Sequence, residues 1–280
     1  MPQQEDNHFL IDNAFPKEVA YTLRCLSSQE ALSANHLRAR LASDFGYEAQ
    51  KNLSFSTRRL IDLGLAVQQA NSEGKPGYVI TPLGERIRSI LYDSPELYAD
   101  LMHFLHYNGD PSLRKLFLSY RWCCNIVWDQ KEMVDTSAIV AEVQSRIAER
   151  YPGMYAQRIG GNFNAGGVTS WKAWVVALTP PPFDRANPRE RSLLPRTSDR
   201  YELVLLALDH VYCARGYRYG DPVILDDALL DEIARVSFLD PLCCRNLLDL
   251  AARVTRVIAL RDTFAGTSIK LLAPYGVQNL

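Results

Sequence analysis

The sequence predicts a mainly α-helical protein made of tandem winged helix-turn-helix units, with short two-stranded wings and a helical connecting section. Three observations lead there. Ser54–Leu83 reads as a helix followed by a hairpin, two helices precede it, and a similar order of elements recurs from Tyr201 onward.

The first unit is expected over residues 1–92. Residues 1–15 are polar and then mixed, and read as an arm docking near Phe9–Phe15. Pro16 suits the first turn of a helix running through Val19, Tyr21, Leu23 and Leu26, because its missing N–H is not needed there. Ser33 is placed to cap a helix over Asn35–Phe45, where Leu37, Leu41 and Phe45 recur every fourth residue and mark a buried stripe; Arg38 and Arg40 project elsewhere. Gly46 ends it. The third helix is read as Ser54–Gly64, with Phe55, Leu60 and Leu63 on its apolar side. Leu65–Val67 then opens a strand, the polar stretch Asn71–Gly77 turns the chain, and Tyr78–Ile80 returns. Thr81-Pro82-Leu83-Gly84-Glu85 starts a further helix, Glu85–Leu91.

Residues 93–178 form the helical section, in which Leu97, Leu101, Phe104 and Leu105 mark one stripe and Leu116–Trp128 a second, heavily buried helix. A divergent second helix-turn-helix is expected there, from Ile139–Tyr151 and Val168–Leu178. Residues 179–200 hold five prolines and five arginines, and read as a linker or exposed loop. A C-terminal winged-helix-like unit fills 201–280, with helices Tyr201–Cys213, Asp226–Val236 and Pro241–Val254 and strands near Val257–Leu260 and Ser268–Leu271. Leu271–Gly276 echoes Val79–Gly84 in the first unit.

On the third helix of the first unit, Ser54, Thr57 and Arg58 fall on the side away from Leu60 and Leu63, with Lys51 just ahead of them. Short hydroxyls and a guanidinium there suit phosphates and base edges in a major groove, while Lys75 at the wing tip and Arg38 suit the adjacent backbone. Arg185, Arg189, Arg191 and Arg196 could lie along a phosphate backbone or an acidic partner. With 31 basic and 32 acidic residues the net charge is −1, so binding by bulk attraction to phosphate is excluded and any DNA affinity must come from local patches.

Other chemistry is not encoded in recognisable form. The six cysteines, among them the adjacent pairs Cys123-Cys124 and Cys243-Cys244, lack the CxxC spacing of a zinc site and read as reduced, packed thiols. His103 and His106 lie three apart on one helix without a third ligand in pattern, and read as packed histidines. The glycine cluster Gly160–Gly167 lacks the Gly-Lys-Ser/Thr of a phosphate loop, and its remaining use would be to offer a helix N-terminus to a phosphate. Asp226, Asp227, Asp231 and Glu232 cluster at one helix, where a magnesium-dependent nuclease is one reading and a solvated acidic face the other. No metal, cofactor or catalytic residue is therefore expected. The opening Met1–His8 has neither the basic start nor the apolar centre of a signal peptide, and no apolar run reaches the length of a bilayer, so a cytoplasmic protein is expected.

Ala49–Leu53 leading into Arg59–Leu65, Ile80–Glu85, and the aromatic helix containing Tyr120-Arg121-Trp122 resemble a poorly characterised bacterial winged-helix family. That family belongs to DNA-modification and phage-defence gene clusters, some linked to DNA sulfur modification. The resemblance covers roughly residues 10–150. The expectation is a non-catalytic subunit that binds double-stranded DNA within a larger bacterial complex. A protein–protein adaptor using winged helices as contact surfaces, and a transcription regulator, are the alternatives.

Overall fold

The computed structural model describes residues 9–47, 53–72, 74–153, 163–183, 192–194, 196–264 and 266–280. They form a mainly helical fold with two small antiparallel sheets. The first region runs α1 (Pro16–Cys25), α2 (Ala34–Phe45), α3 (Leu53–Asp62), β1 (Ala66–Ala70), β2 (Pro76–Ile80) and α4 (Pro82–Asp93). The helical section holds α5 (Pro95–Asn108), α6 (Leu116–Gln130), α7 (Thr136–Arg150) and α8 (Ala165–Val175). The last region runs α9 (Tyr201–Arg215), β3 (Val223–Ile224), α10 (Asp227–Ser237), α11 (Pro241–Val254), β4 (Ile258–Thr263) and β5 (Gly266–Leu271), closed by a short 3₁₀ turn at Val277–Asn279.

Local chemistry accounts for the ends of these elements. Ser33 accepts from the His36 N–H to cap α2, and Gly46 takes the left-handed conformation that stops it, with φ 59°. Thr81 accepts from the Gly84 N–H to start α4, and its own hydroxyl donates to the Gly64 carbonyl, so one side chain joins the end of α3 to the start of α4. The hairpin strands are longer than the sequence predicts, because the turn residues Pro76 and Gly77 pair with Ala70 and Gln69.

The first and last regions share a strand arrangement as well as an order. In the last, β5 lies between β3 and β4. In the first, β2 pairs with β1 on one edge and bridges to Leu32 on the other, through reciprocal Leu32–Tyr78 backbone bonds of 3.0 and 2.9 Å. Leu32 thus occupies the place of β3, a short edge that the sequence does not announce.

One continuous apolar core joins Phe9 to Val277. Its centre is α5, which packs on α4, α6, α8, α9 and α10 and buries Tyr98, Leu101, Met102, Phe104 and Tyr107. A helix covered on that many sides has little need of a polar face, which is why its apolar residues run wider than one stripe. The segment Phe9–Ala14 docks as expected: Phe9, Ile11 and Ala14 are buried, and Trp174 Nε1 donates to the Ala14 carbonyl at 2.9 Å. The second predicted helix-turn-helix has its two helices, α7 and α8, but both sheets of the described residues lie elsewhere.

Residues 179–200 are exposed at Thr179, Pro180, Thr197, Asp199 and Arg200, but the segment is not wholly a surface loop. Phe183 is buried, and Arg196 is fully enclosed, with its backbone bridged to Leu239. Among the described residues, no helix is long and apolar enough to cross a membrane.

Candidate nucleic-acid interface

Helix α3 is enclosed on more than one side. Its buried residues are Leu53, Ser56, Thr57, Arg59 and Leu60, which leaves Ser54 and Arg58 as the exposed positions of a narrow stripe. Beside that stripe lies a groove of about 430 Å³, lined among others by Ser54, Arg58, Asp62, Gln68, Tyr78 and Arg114. Gln68 comes from the exposed run of β1, Tyr78 from β2, and Arg114 from the connection between α5 and α6. The groove is therefore built by α3, the hairpin and the helical section together.

The predicted site residues divide into three groups. Ser54 and Arg58 line the groove, Lys75 is exposed at the hairpin turn, and Arg38 is exposed on α2, where Nη1 donates to Asn35 Oδ1 at 2.9 Å. Thr57 also lines the groove, but it is buried and its hydroxyl donates to the Leu53 and Ser54 carbonyls, at 2.9 and 3.3 Å. Arg196 is a correction. Its guanidinium donates to Asp100, Pro180, Ser237 and Thr179 inside the core and cannot reach a phosphate. Lys51, Arg185, Arg189 and Arg191 lie outside the described residues.

Sequence reasoning misses the charges that organise the groove. Arg58 Nη1 lies 3.7 Å from Asp12 Oδ2; the arginine side chain is 63% exposed and the aspartate side chain 10%. Arg114 Nε lies 2.6 Å from Asp62 Oδ1, with the arginine 39% exposed and the aspartate 1%. Behind them sits Arg59, fully buried, whose three guanidinium nitrogens have no hydrogen-bond partner among the described residues. Burial depresses the Arg59 pKa, while the nearby Asp62 and Asp12 carboxylates oppose that shift. Burial likewise raises the Asp62 carboxyl above its ordinary range, against the pull of Arg114, Arg59 and Arg58. Two partly exposed guanidinium groups, Arg58 and Arg114, thus stand over the enclosed carboxylates of Asp12 and Asp62.

The chain as a whole is similar to a solved structure described as magnesium ion-bound SspB. The two share 13% identity with a TM-score of 0.56, over 95% of this chain and 83% of that one. The likeness is one of fold. No family model and no curated protein matches the chain.

The remaining candidate chemistry is absorbed by structure. His103 Nε2 donates to the Val236 carbonyl at 3.0 Å and Nδ1 meets the Tyr120 hydroxyl at 2.9 Å, while His106 Nδ1 meets the Met102 carbonyl at 2.6 Å. Burial lowers His103 to a pKa of about 3 and lowers His106 as well. In the acidic cluster, Asp226 caps α10 by accepting from the Leu229 N–H, Asp231 accepts from Trp128 Nε1 at 3.0 Å, and Glu232 is paired with Arg215. No group of three metal-ligating side chains occurs among the described residues, and their cysteines are free thiols. Asn164 accepts from the Gly166 and Gly167 N–H groups, so the amino end of α8 is already capped rather than offered to a phosphate.

Proposed function

We propose that this chain is a non-catalytic subunit that binds double-stranded DNA, with its first region acting as a winged helix. Helix α3 is the recognition helix, and the β1–β2 hairpin is the wing. The observation that carries this reading is the groove beside α3, where Ser54, Arg58, Gln68 and Arg114 converge with Lys75 exposed at the hairpin turn. Guanidinium and amide groups around a concavity match phosphate oxygens and base edges, and a projecting hairpin reaches the neighbouring backbone.

The last region has the same element and strand order but a different surface. On α11, Leu242, Leu250 and Val254 are exposed, and Phe264 stands fully exposed at the turn of its hairpin. Apolar side chains in those positions suit protein contact, so the division of labour is DNA at the first unit and another subunit at the last. A place in bacterial defence or DNA modification follows from the family resemblance and belongs to the same proposal.

The test is binding of the purified chain to a random-sequence duplex across a salt series, with Arg58→Glu beside it. Salt-sensitive binding that the substitution weakens supports the reading, and removing one cation from a phosphate should flatten the slope by about one unit. Absence of binding at low salt moves the assignment to a protein–protein adaptor. Phe264→Ser should leave DNA affinity unchanged.

A further inference from the structure

We infer that the groove contains a phosphate seat that the protein keeps closed against itself: Arg58 exchanges Asp12 for a DNA phosphodiester, while Arg114 stays anchored on Asp62 at the opposite edge. This rests on the DNA reading above and deepens it.

The two ion pairs differ in the way such an exchange requires. Arg58 meets Asp12 at 3.7 Å, longer than a good charge-assisted hydrogen bond, and most of its side chain is in water. A contact that long, made by a guanidinium mostly in water, is held weakly on the arginine side, and a phosphate oxygen competes for it. Arg114 binds Asp62 at 2.6 Å through Nε, and that carboxylate is enclosed, so this arginine is fixed in place. The seat thus has one mobile and one stationary cation.

Departure of Arg58 would ordinarily leave Asp12, itself nearly buried, as an uncompensated charge. Arg59 removes that obstacle. It lies beneath the same face, feels both Asp12 and Asp62, and its three guanidinium nitrogens have no hydrogen-bond partner among the described residues. A buried guanidinium without hydrogen bonds is costly for stability alone, and its use here is to offset the charge of the two carboxylates, without bonding either, while the surface arginine turns to its ligand. Arg58 supplies the charge that a phosphate recognises, and Asp12 sets how readily it is released.

The experiment compares duplex binding by wild type, Asp12→Asn, Arg58→Gln and the double variant Asp12→Asn/Arg58→Gln over a salt series, with thermal melts as folding controls. Asp12→Asn is expected to bind roughly two- to fivefold tighter at low salt, and the gain should vanish in the double variant. Arg58→Gln alone should weaken binding and lower the salt slope by about one. If Arg58→Gln weakens binding but Asp12→Asn is no tighter than wild type, the exchange is overturned and the DNA reading stands. If wild type shows no salt-sensitive binding, the DNA reading itself has failed. Arg114→Gln, on the other pair, should also weaken binding and flatten the slope; an unchanged slope removes Arg114 from the seat whatever Asp12→Asn does.

Discussion

Arg196 Nη2 donates to Asp100 Oδ1 at 2.7 Å, with both side chains enclosed in the core. The same guanidinium donates to the Pro180 carbonyl at 2.7 Å and to the Ser237 carbonyl at 2.8 Å. One arginine thereby ties α5, the start of the Pro/Arg-rich segment and the end of α10. Removing one partner of a buried pair costs about 3–5 kcal/mol, because the other is left charged without a counter-ion. Arg196→Met should approach that loss, since it also strands the Pro180, Ser237 and Thr179 carbonyls. Asp100→Asn should cost less, because the carbonyl bonds survive and burial already raises the Asp100 carboxyl towards its neutral form. Urea titrations of both variants decide the order, and equal losses would contradict it.

Acidification should destabilise the fold through the histidines at its centre. His103 has a folded pKa of about 3, depressed by burial and then by Arg196, and His106 is lowered mainly by burial. Both are neutral when folded and take up protons near pH 6.5 when unfolded. Their contribution is complete above that pH. It falls as pH drops below it, by up to about 1.4 kcal/mol per pH unit for each histidine. Asp62 and Asp100 work the other way, because burial raises their carboxyls and the folded state takes up their protons first. The urea midpoint should drop between about pH 6.5 and about pH 5, the window in which the unfolded histidines take up their protons. A flat midpoint over that window would refute the assignment.

What is legible in the sequence is local. The Leu37 and Leu41 stripe, the Ser33 cap and the Gly46 stop are each decided by neighbours within one or two turns, and all three stand in the fold. Thr57 escapes such reasoning because the apolar residues of α3 report one buried face, whereas the helix is also enclosed along the side that carries Thr57 and Arg59. Arg196 escapes it for a related reason: its surroundings in the chain have the composition of a linker, but its carboxylate partner is 96 residues away. Asp12 and Arg114 belong to no local pattern. Their partners lie on α3, 46 and 52 positions distant in the chain (58 − 12 and 114 − 62), and only the docking of the N-terminal segment and of the α5–α6 connection beside α3 brings them together.

The echo between Val79–Gly84 and Leu271–Gly276 hides an asymmetry that mutation should expose. A Cβ on Gly84 would sit 2.0 Å from the Leu65 carbonyl oxygen, which also accepts from the Thr81 N–H at 3.0 Å. No small shift relieves a backbone clash of that size, so Gly84→Ala should cost about 1–3 kcal/mol or more and loosen the joint between hairpin and α4. At Gly276 the nearest atoms belong to the Gln278 side chain, which can move. Gly276→Ala should change stability by no more than about 0.5 kcal/mol. Thermal melts of the two variants give the contrast directly.

Asp226 separates a structural carboxylate from a metal ligand. Its side chain accepts from the Leu229 N–H at 2.8 Å, satisfying one of the open amides at the start of α10, and Asp231 and Glu232 are engaged by Trp128 and Arg215. Asparagine retains a cap acceptor and alanine does not. Asp226→Asn should therefore keep nearly full stability, and Asp226→Ala should lose about 1 kcal/mol. A ligand role makes the opposite forecast: magnesium would raise the melting temperature of wild type, and both substitutions would abolish the rise. Melting the three proteins with and without magnesium distinguishes the two, and the capping geometry predicts curves that do not respond to the ion.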